Sequence, residues 1–178
     1  MIPSLVWHLP RPPRSKYRGG FPLHFEANLE QYLGYPERVL QPFGGRAELG
    51  YRLDLDPLCE PDLVADAHEL PFEDESFDCV ILDPPYSDGE ALELYGVTRK
   101  LEPAKYVREA VRVLKPGGFL CLYTDREPAR PKGCKWHSRI VVVLRPWHRP
   151  RICGVFQKCK PGMPFYGTEE GEADDARA

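Results

Sequence analysis

A mixed α/β fold around a mostly parallel sheet is predicted by three features of this sequence. Cys79-Val80-Ile81-Leu82 is a continuous apolar run, as suits a strand covered on both faces. Asp83-Pro84-Pro85-Tyr86 stops that run, since neither proline can donate a ladder hydrogen bond. Pro103–Leu114 then sets Tyr106, Val107, Ala110, Val111 and Leu114 on one helical face, and a second buried strand, Phe119-Leu120-Cys121-Leu122-Tyr123-Thr124, follows Lys115-Pro116-Gly117-Gly118. In open sheets of this kind ligands bind at the C-terminal edge of the strands, which is where Asp83 falls.

The remaining elements are assigned in order. Residues 1–20 carry Pro10, Pro12 and Pro13, four basic residues and Gly19-Gly20, and are expected to form an extended basic arm without its own core. Phe25, Leu29 and Leu33 form a helical stripe ended by Gly34. Arg38–Phe43 and Tyr51–Pro57 read as the first two strands of the sheet. The connection between them is shorter than a usual crossover, so a helix reduced to one turn around residues 46–49 is expected, or else an unusual join. Asp62–Ala67 reads as a third, short strand, and Glu90–Tyr95 as a short helix. Ile140–Leu144 and Ile152–Gln157 form a hairpin across Arg145–Arg151. The domain is bounded at 21–166, with a disordered acidic tail at 167–178.

The 178 residues suffice for one domain with a real core. No apolar stretch is long enough to cross a bilayer, and the N-terminus lacks the basic-then-apolar pattern of a signal peptide. Six scattered cysteines read as reduced core thiols, and a cytoplasmic location is expected. Cys134, His137, Cys153 and Cys159 lack the spacing of a zinc knuckle, so no metal is assigned.

Charge is segregated along the chain. Asp54–Glu93 holds fourteen acidic residues and no Lys or Arg, whereas Arg126–Lys160 holds ten basic residues and one acid. Such asymmetry suggests an acid-lined site beside a basic surface able to meet phosphates. Trp136, Trp147 and His148 interleave the basic stretch, so Arg130, Lys132, Lys135, Arg145, Arg149 and Arg151 are the candidate nucleic-acid contacts.

These motifs, in this order, resemble class I S-adenosylmethionine-dependent methyltransferases, and in particular the amino-methyltransferases with an Asp/Asn-Pro-Pro-Tyr/Phe motif. Four segments carry the resemblance: Val39–Gly45, Asp54-Leu55-Asp56-Pro57, Ala65-Asp66-Ala67 with Leu70-Pro71-Phe72 and Ser76-Phe77-Asp78, and Leu114–Gly118. It implies a Rossmann-like methyltransferase fold with a seven-stranded sheet, an antiparallel last strand and a reduced helix between the first two strands. It also implies S-adenosylmethionine as cofactor, held by Pro42, Phe43, Gly44, Gly45, Asp54, Asp56, Asp66, Ala67 and Asp83. Within that frame Asp54, with Asp56 second, would accept from the ribose hydroxyls and Asp66 from the adenine amine. The first loop departs from the family, which carries an acid before its glycines where this chain has Gln41.

Asp83, Pro84, Pro85 and Tyr86 are the candidate catalytic residues. The Asp83 carboxylate and the Pro84 carbonyl can each accept one N–H of an exocyclic amine, aiming its lone pair at a methyl donor, while Tyr86 stacks on the ring. The expected reaction is methylation of adenine N6 in DNA, with nucleic acid as partner and a partner subunit for target recognition as a further candidate. The alternatives are guanine N2 or adenine N6 in RNA, a small-molecule acceptor, and an inactive cofactor-binding subunit that helps an active partner.

Overall fold

The computed structural model of the chain describes residues 1–11, 20–95, 98, 100–145 and 149–162. The expected acidic tail, the middle of the basic arm, Trp147 and His148 lie outside the described residues. The elements in order are β1 (Ser4–His8), α1 (Phe25–Tyr32), β2 (Val39–Pro42), β3 (Tyr51–Asp54), a 3-10 turn (Pro57–Cys59), β4 (Leu63–Val64), β5 (Phe77–Leu82), α2 (Asp88–Tyr95), α3 (Pro103–Val113), β6 (Leu114–Thr124), β7 (Cys134–Val143) and β8 (Arg151–Lys158).

All these strands join one sheet in the order β1-β7-β8-β6-β5-β2-β3-β4. Pairing is parallel throughout, except that β8 runs antiparallel to both β6 and β7. This is the expected Rossmann-like architecture with an antiparallel last strand. From β2 the chain steps outward to β3 and β4, then returns to lay β5 on the other side of β2. The order therefore reverses between β2 and β5, and the crevice at their C-terminal ends is the ligand site that such topology provides.

Three expectations are corrected. Among the described residues the sheet has eight strands rather than seven, because Ser4–His8 of the expected arm pairs with β7, Ser4 against Arg139 through His8 against Val143. The alternation in Ser4-Leu5-Val6-Trp7-His8 supplies the reason: Leu5 and Trp7 turn inward, and Trp7 packs edge-on against Phe25 and Tyr32 at 6.0 and 6.1 Å. Second, between β2 and β3 no helix forms, and the connection holds a single hydrogen-bonded turn, the Ala47 N–H donating to the Gly44 carbonyl at 2.8 Å. Both strands are four residues long, so the chain has only about 10 Å to travel back, and a bare loop makes the return. It passes so close to β2 that a Cβ on Gly50 would lie 2.5 Å from the Val39 carbonyl oxygen. Third, Lys115-Pro116-Gly117-Gly118 does not separate helix from strand. α3 runs directly into β6, and the tetrapeptide is absorbed as a register irregularity between Phe77 opposite Leu114 and Cys79 opposite Phe119.

The core has two layers. On one face α3 lays Tyr106, Ala110 and Val113 on Leu40, Leu82, Leu120 and Phe156. On the other, α1 lays Phe25 and Leu29, both fully buried, on Val39, Ile81 and Cys121. α1 thus shields the face next to the bare β2–β3 loop. Fully burying one such large side chain is worth about 1.5–3 kcal/mol. Cys59, Cys79, Cys121, Cys134 and Cys153 are buried, and Cys159 is half-buried.

Candidate active site

The loop after β2 is shaped by close approach. A Cβ on Gly44 would stand 2.7 Å from the Gln41 carbonyl oxygen and 2.9 Å from Arg52 Cβ, so only glycine fits. Phe43 is held at φ 61°, a region that bulky side chains rarely enter, and it turns its ring toward Tyr106 (5.1 Å between centroids) and His68 (6.4 Å). Two carboxylates fix the loop. Asp54, at the end of β3, accepts from the Gly45 N–H at 2.9 Å and from the Asp56 N–H at 3.0 Å. Glu26, in the first turn of α1, accepts from the Leu49 N–H at 2.9 Å and the Glu48 N–H at 3.1 Å.

Two other predicted acids have local duties. Asp56 caps the 3-10 turn by accepting from the Leu58 N–H at 2.9 Å. Asp66 accepts from the His68 backbone N–H at 2.8 Å, and its Oδ1 lies 2.7 Å from His68 Nδ1. The Glu102 N–H donates to His68 Nε2 at 3.0 Å, so the ring proton sits on Nδ1 and points at Asp66. His68 thereby ties the loop after β4 to the start of α3.

Phe43, Gly44, Gly45, Asp54, Ala67 and Asp83 converge on one cavity of about 820 Å³, counted to its open mouth. Pro42, Asp56 and Asp66 are not in its lining. A second, wider groove of about 2050 Å³ runs between α3 and residues 125–132. The tetrad stands where the two meet. Asp83 lines the cavity, Pro84 and Tyr86 line the groove, and Pro85 lines both.

Pro84 is buried, and Asp83 and Tyr86 are half-buried. The Arg151 guanidinium lies over the Tyr86 ring, 4.7 Å from its centroid, and covers one of the two faces on which an acceptor could stack. Beneath them, burial first and then the nearby Asp83 carboxylate hold the Tyr123 phenol above its ordinary range, so it stays protonated. Tyr123 belongs to the aromatic core, with Phe25 at 4.9 Å and Phe21 at 5.4 Å. Burial likewise pushes Tyr106 up to about 12.

The predicted basic contacts divide. Arg130 and Lys132 line the groove, and Arg151 sits on Tyr86. Arg145 and Arg149 are exposed on the β7–β8 connection, at the same sheet edge as Asp83. Lys135 lies near the start of β7 opposite Gln157, at the other end of the sheet, and is not brought to the site. Trp136 packs on Phe156 at 4.2 Å as part of the core. Sequence reasoning missed His68, Ala91 and Leu101 in the cavity wall, and Gly20 and Phe21, which bring the end of the arm to it. The Gly19-Gly20-Phe21 step was the available signal for the last two.

Residues 56–122 match the family described as "Methyltransferase domain". Two curated relatives resemble part of the chain. One is phthiotriol/phenolphthiotriol dimycocerosates methyltransferase 1 of Mycobacterium ulcerans, 45% identical over 64 residues, which are 36% of this chain and 19% of that protein. The other is demethylmenaquinone methyltransferase of Clavibacter sepedonicus, 37% identical over 67 residues, 38% of this chain and 23% of that protein. The chain therefore spans about a fifth of the length of these relatives. Among solved structures it superposes on the Burkholderia thailandensis 1,6-didemethyltoxoflavin-N1-methyltransferase, whose structure holds S-adenosylhomocysteine, with TM-score 0.53 and 13% identity over 75% of this chain and 76% of that one. A Methanosarcina mazei methyltransferase of the S-adenosylmethionine-dependent class gives TM-score 0.53 and 15% identity over 74% of this chain and 97% of that one. The chain has the Rossmann-like fold of the S-adenosylmethionine-dependent methyltransferases, with a methyltransferase-domain match at its centre.

Proposed function

We propose that this protein is an S-adenosylmethionine-dependent methyltransferase acting on an exocyclic amine of a nucleobase, with adenine N6 in DNA as the leading acceptor. The observation that carries the reading is the tetrad at the meeting of two cavities, with Asp83 facing one and Tyr86 the other. The residues of the first cavity fit the cofactor. Gly44 leaves backbone where a Cβ could not stand, Asp54 closes the loop at the end of β3 where a ribose would be met, and Asp83 supplies negative charge near a sulfonium. Bound there, the cofactor supplies an electrophilic methyl group.

The chain's own work is positioning. Asp83 and the Pro84 carbonyl accept the two N–H groups of the acceptor amine and stabilise the charge that develops on its nitrogen. Pro85 lines both cavities, and Tyr86, steadied by Arg151, would stack on the acceptor ring. Arg130 and Lys132 along the groove can hold phosphates, and a base from a duplex would enter flipped out of its stack.

A second reading, an apolar small-molecule acceptor, is favoured by the groove walls of Tyr106, Val107, Val111 and Leu122 and by the names of the curated relatives. The test is transfer of a tritiated methyl group to DNA, RNA, protein and lipid pools, with nucleoside analysis of the product. The amine reading expects label in N-methylated nucleoside, lost in Asp83→Ala while S-adenosylhomocysteine still binds. Label confined to the lipid pool, or equal transfer by Asp83→Ala, would refute it.

A further inference from the structure

The loop that frames the cofactor cavity has no acid at its head, yet a carboxylate reaches it from elsewhere. Gln41 occupies that head and is 1% exposed. Its Nε2 donates to Glu26 Oε1 at 2.7 Å and to the Leu49 carbonyl at 2.6 Å. The same Glu26 carboxylate accepts from the Leu49 N–H at 2.9 Å and from the Glu48 N–H at 3.1 Å to each oxygen. One side chain thus gathers the start of the loop at residue 41 and its end at 48 and 49. Phe43–Ala47 span the interval and line the cavity, with Gly45 held from the other side by Asp54. The amides of Glu48 and Leu49 belong to no helix or strand, so a charged acceptor is what fixes them. Glu26 also lies a short step beyond Phe21, itself part of the cavity wall.

We infer that Glu26 is a positioning residue for the cofactor loop: from α1 it supplies the carboxylate that the loop's own sequence lacks. The inference rests on the cofactor reading given above. It also assigns a role to α1 beyond covering the sheet, because a shift of this helix would move both ends of the loop together.

The test uses the full chain and S-adenosylhomocysteine as the probe, with calorimetry for affinity and amide hydrogen exchange across residues 43–50. Glu26→Gln keeps the shape but takes the charge from all three bonds, and with its oxygen in the Oε1 position it sets an amide NH2 in the Oε2 position, 3.1 Å from the Glu48 nitrogen, a donor facing a donor. Affinity is expected to fall about tenfold or more, with faster exchange at Glu48 and Leu49. Gln41→Met, which removes one donor and leaves the two backbone contacts, is expected to lose less. Leu29→Val, on the same helix but in the core, is expected to lower Tm while leaving affinity within about twofold of wild type. Wild-type-like affinity in Glu26→Gln, or an equal loss in Leu29→Val, would overturn the role of Glu26 alone. No binding by the wild-type chain would sink the cofactor reading, and this inference with it.

Discussion

Asp54→Asn offers a sharp test, because both carboxylate oxygens accept from backbone N–H groups, Gly45 at 2.9 Å and Asp56 at 3.0 Å. An asparagine of the same shape must turn its NH2 toward one of these donors. The retained bond loses its charge assistance, worth about 1 kcal/mol, and the other donor is left facing a donor, at about 1–3 kcal/mol. Asp54 is half-buried, and water can relieve part of the second cost, so a net loss of about 2 kcal/mol is expected. For a chain of this size that lowers Tm by about 4–8 °C. Because the Gly45 N–H loses either its acceptor or the charge on it, S-adenosylhomocysteine affinity should fall by about tenfold in the same variant. Urea unfolding gives the first quantity and calorimetry the second. A Tm within about 1 °C of wild type would show that these two bonds do not fix the loop. A stability loss with unchanged affinity would show that the loop does not bind the cofactor.

Gly44→Ala forces a Cβ against the Gln41 carbonyl and Arg52 Cβ, and is expected to cost about 1–3 kcal/mol and most of the cofactor affinity, read by the same two assays. The hydrogen-bonded Arg112 guanidinium holds the Glu109 carboxyl below its ordinary value. A carboxyl lowered in the native state stabilises fully above its ordinary pKa and loses that contribution as pH falls through the native one. Urea midpoints should therefore drop below about pH 4.5 in the wild type. Arg112→Met should lower stability by about 1–3 kcal/mol at neutral pH and flatten this acid limb. An unchanged acid limb in that variant would refute the assignment.

Much of the fold was legible because its central strands are covered on both faces. Cys79–Leu82 and Phe119–Tyr123 had to be apolar throughout, and the amphipathic stripe of α3 named its own buried face. The misses have physical causes. Ser4–His8 alternates as an edge strand should, but the prolines beyond it hid a pairing made with a distant part of the chain. The β2–β3 return was misjudged because strand length, which decides whether a helix is needed, is not written in the loop. Of the candidate site, the tetrad and the two glycines stand at the cavities where motif chemistry placed them. Asp56 and Asp66 were not separable from Asp54 by sequence, since a cap and a histidine partner look like any acid after a strand. His68 and Glu26 act through contacts with other elements, and no local spacing announces them.

The seating of β1 against β7 has a consequence for synthesis. Ser4 waits for Arg139, so β1 finds its place only after β2 to β6 have been made. Until then Leu5, Trp7 and Leu9 have no sheet to cover them, and the segment is an uncovered apolar stretch on a growing chain. Its docking would be the closing event of folding. Trp7, which becomes packed between Phe25 and Tyr32 at that moment, is placed to report it by fluorescence.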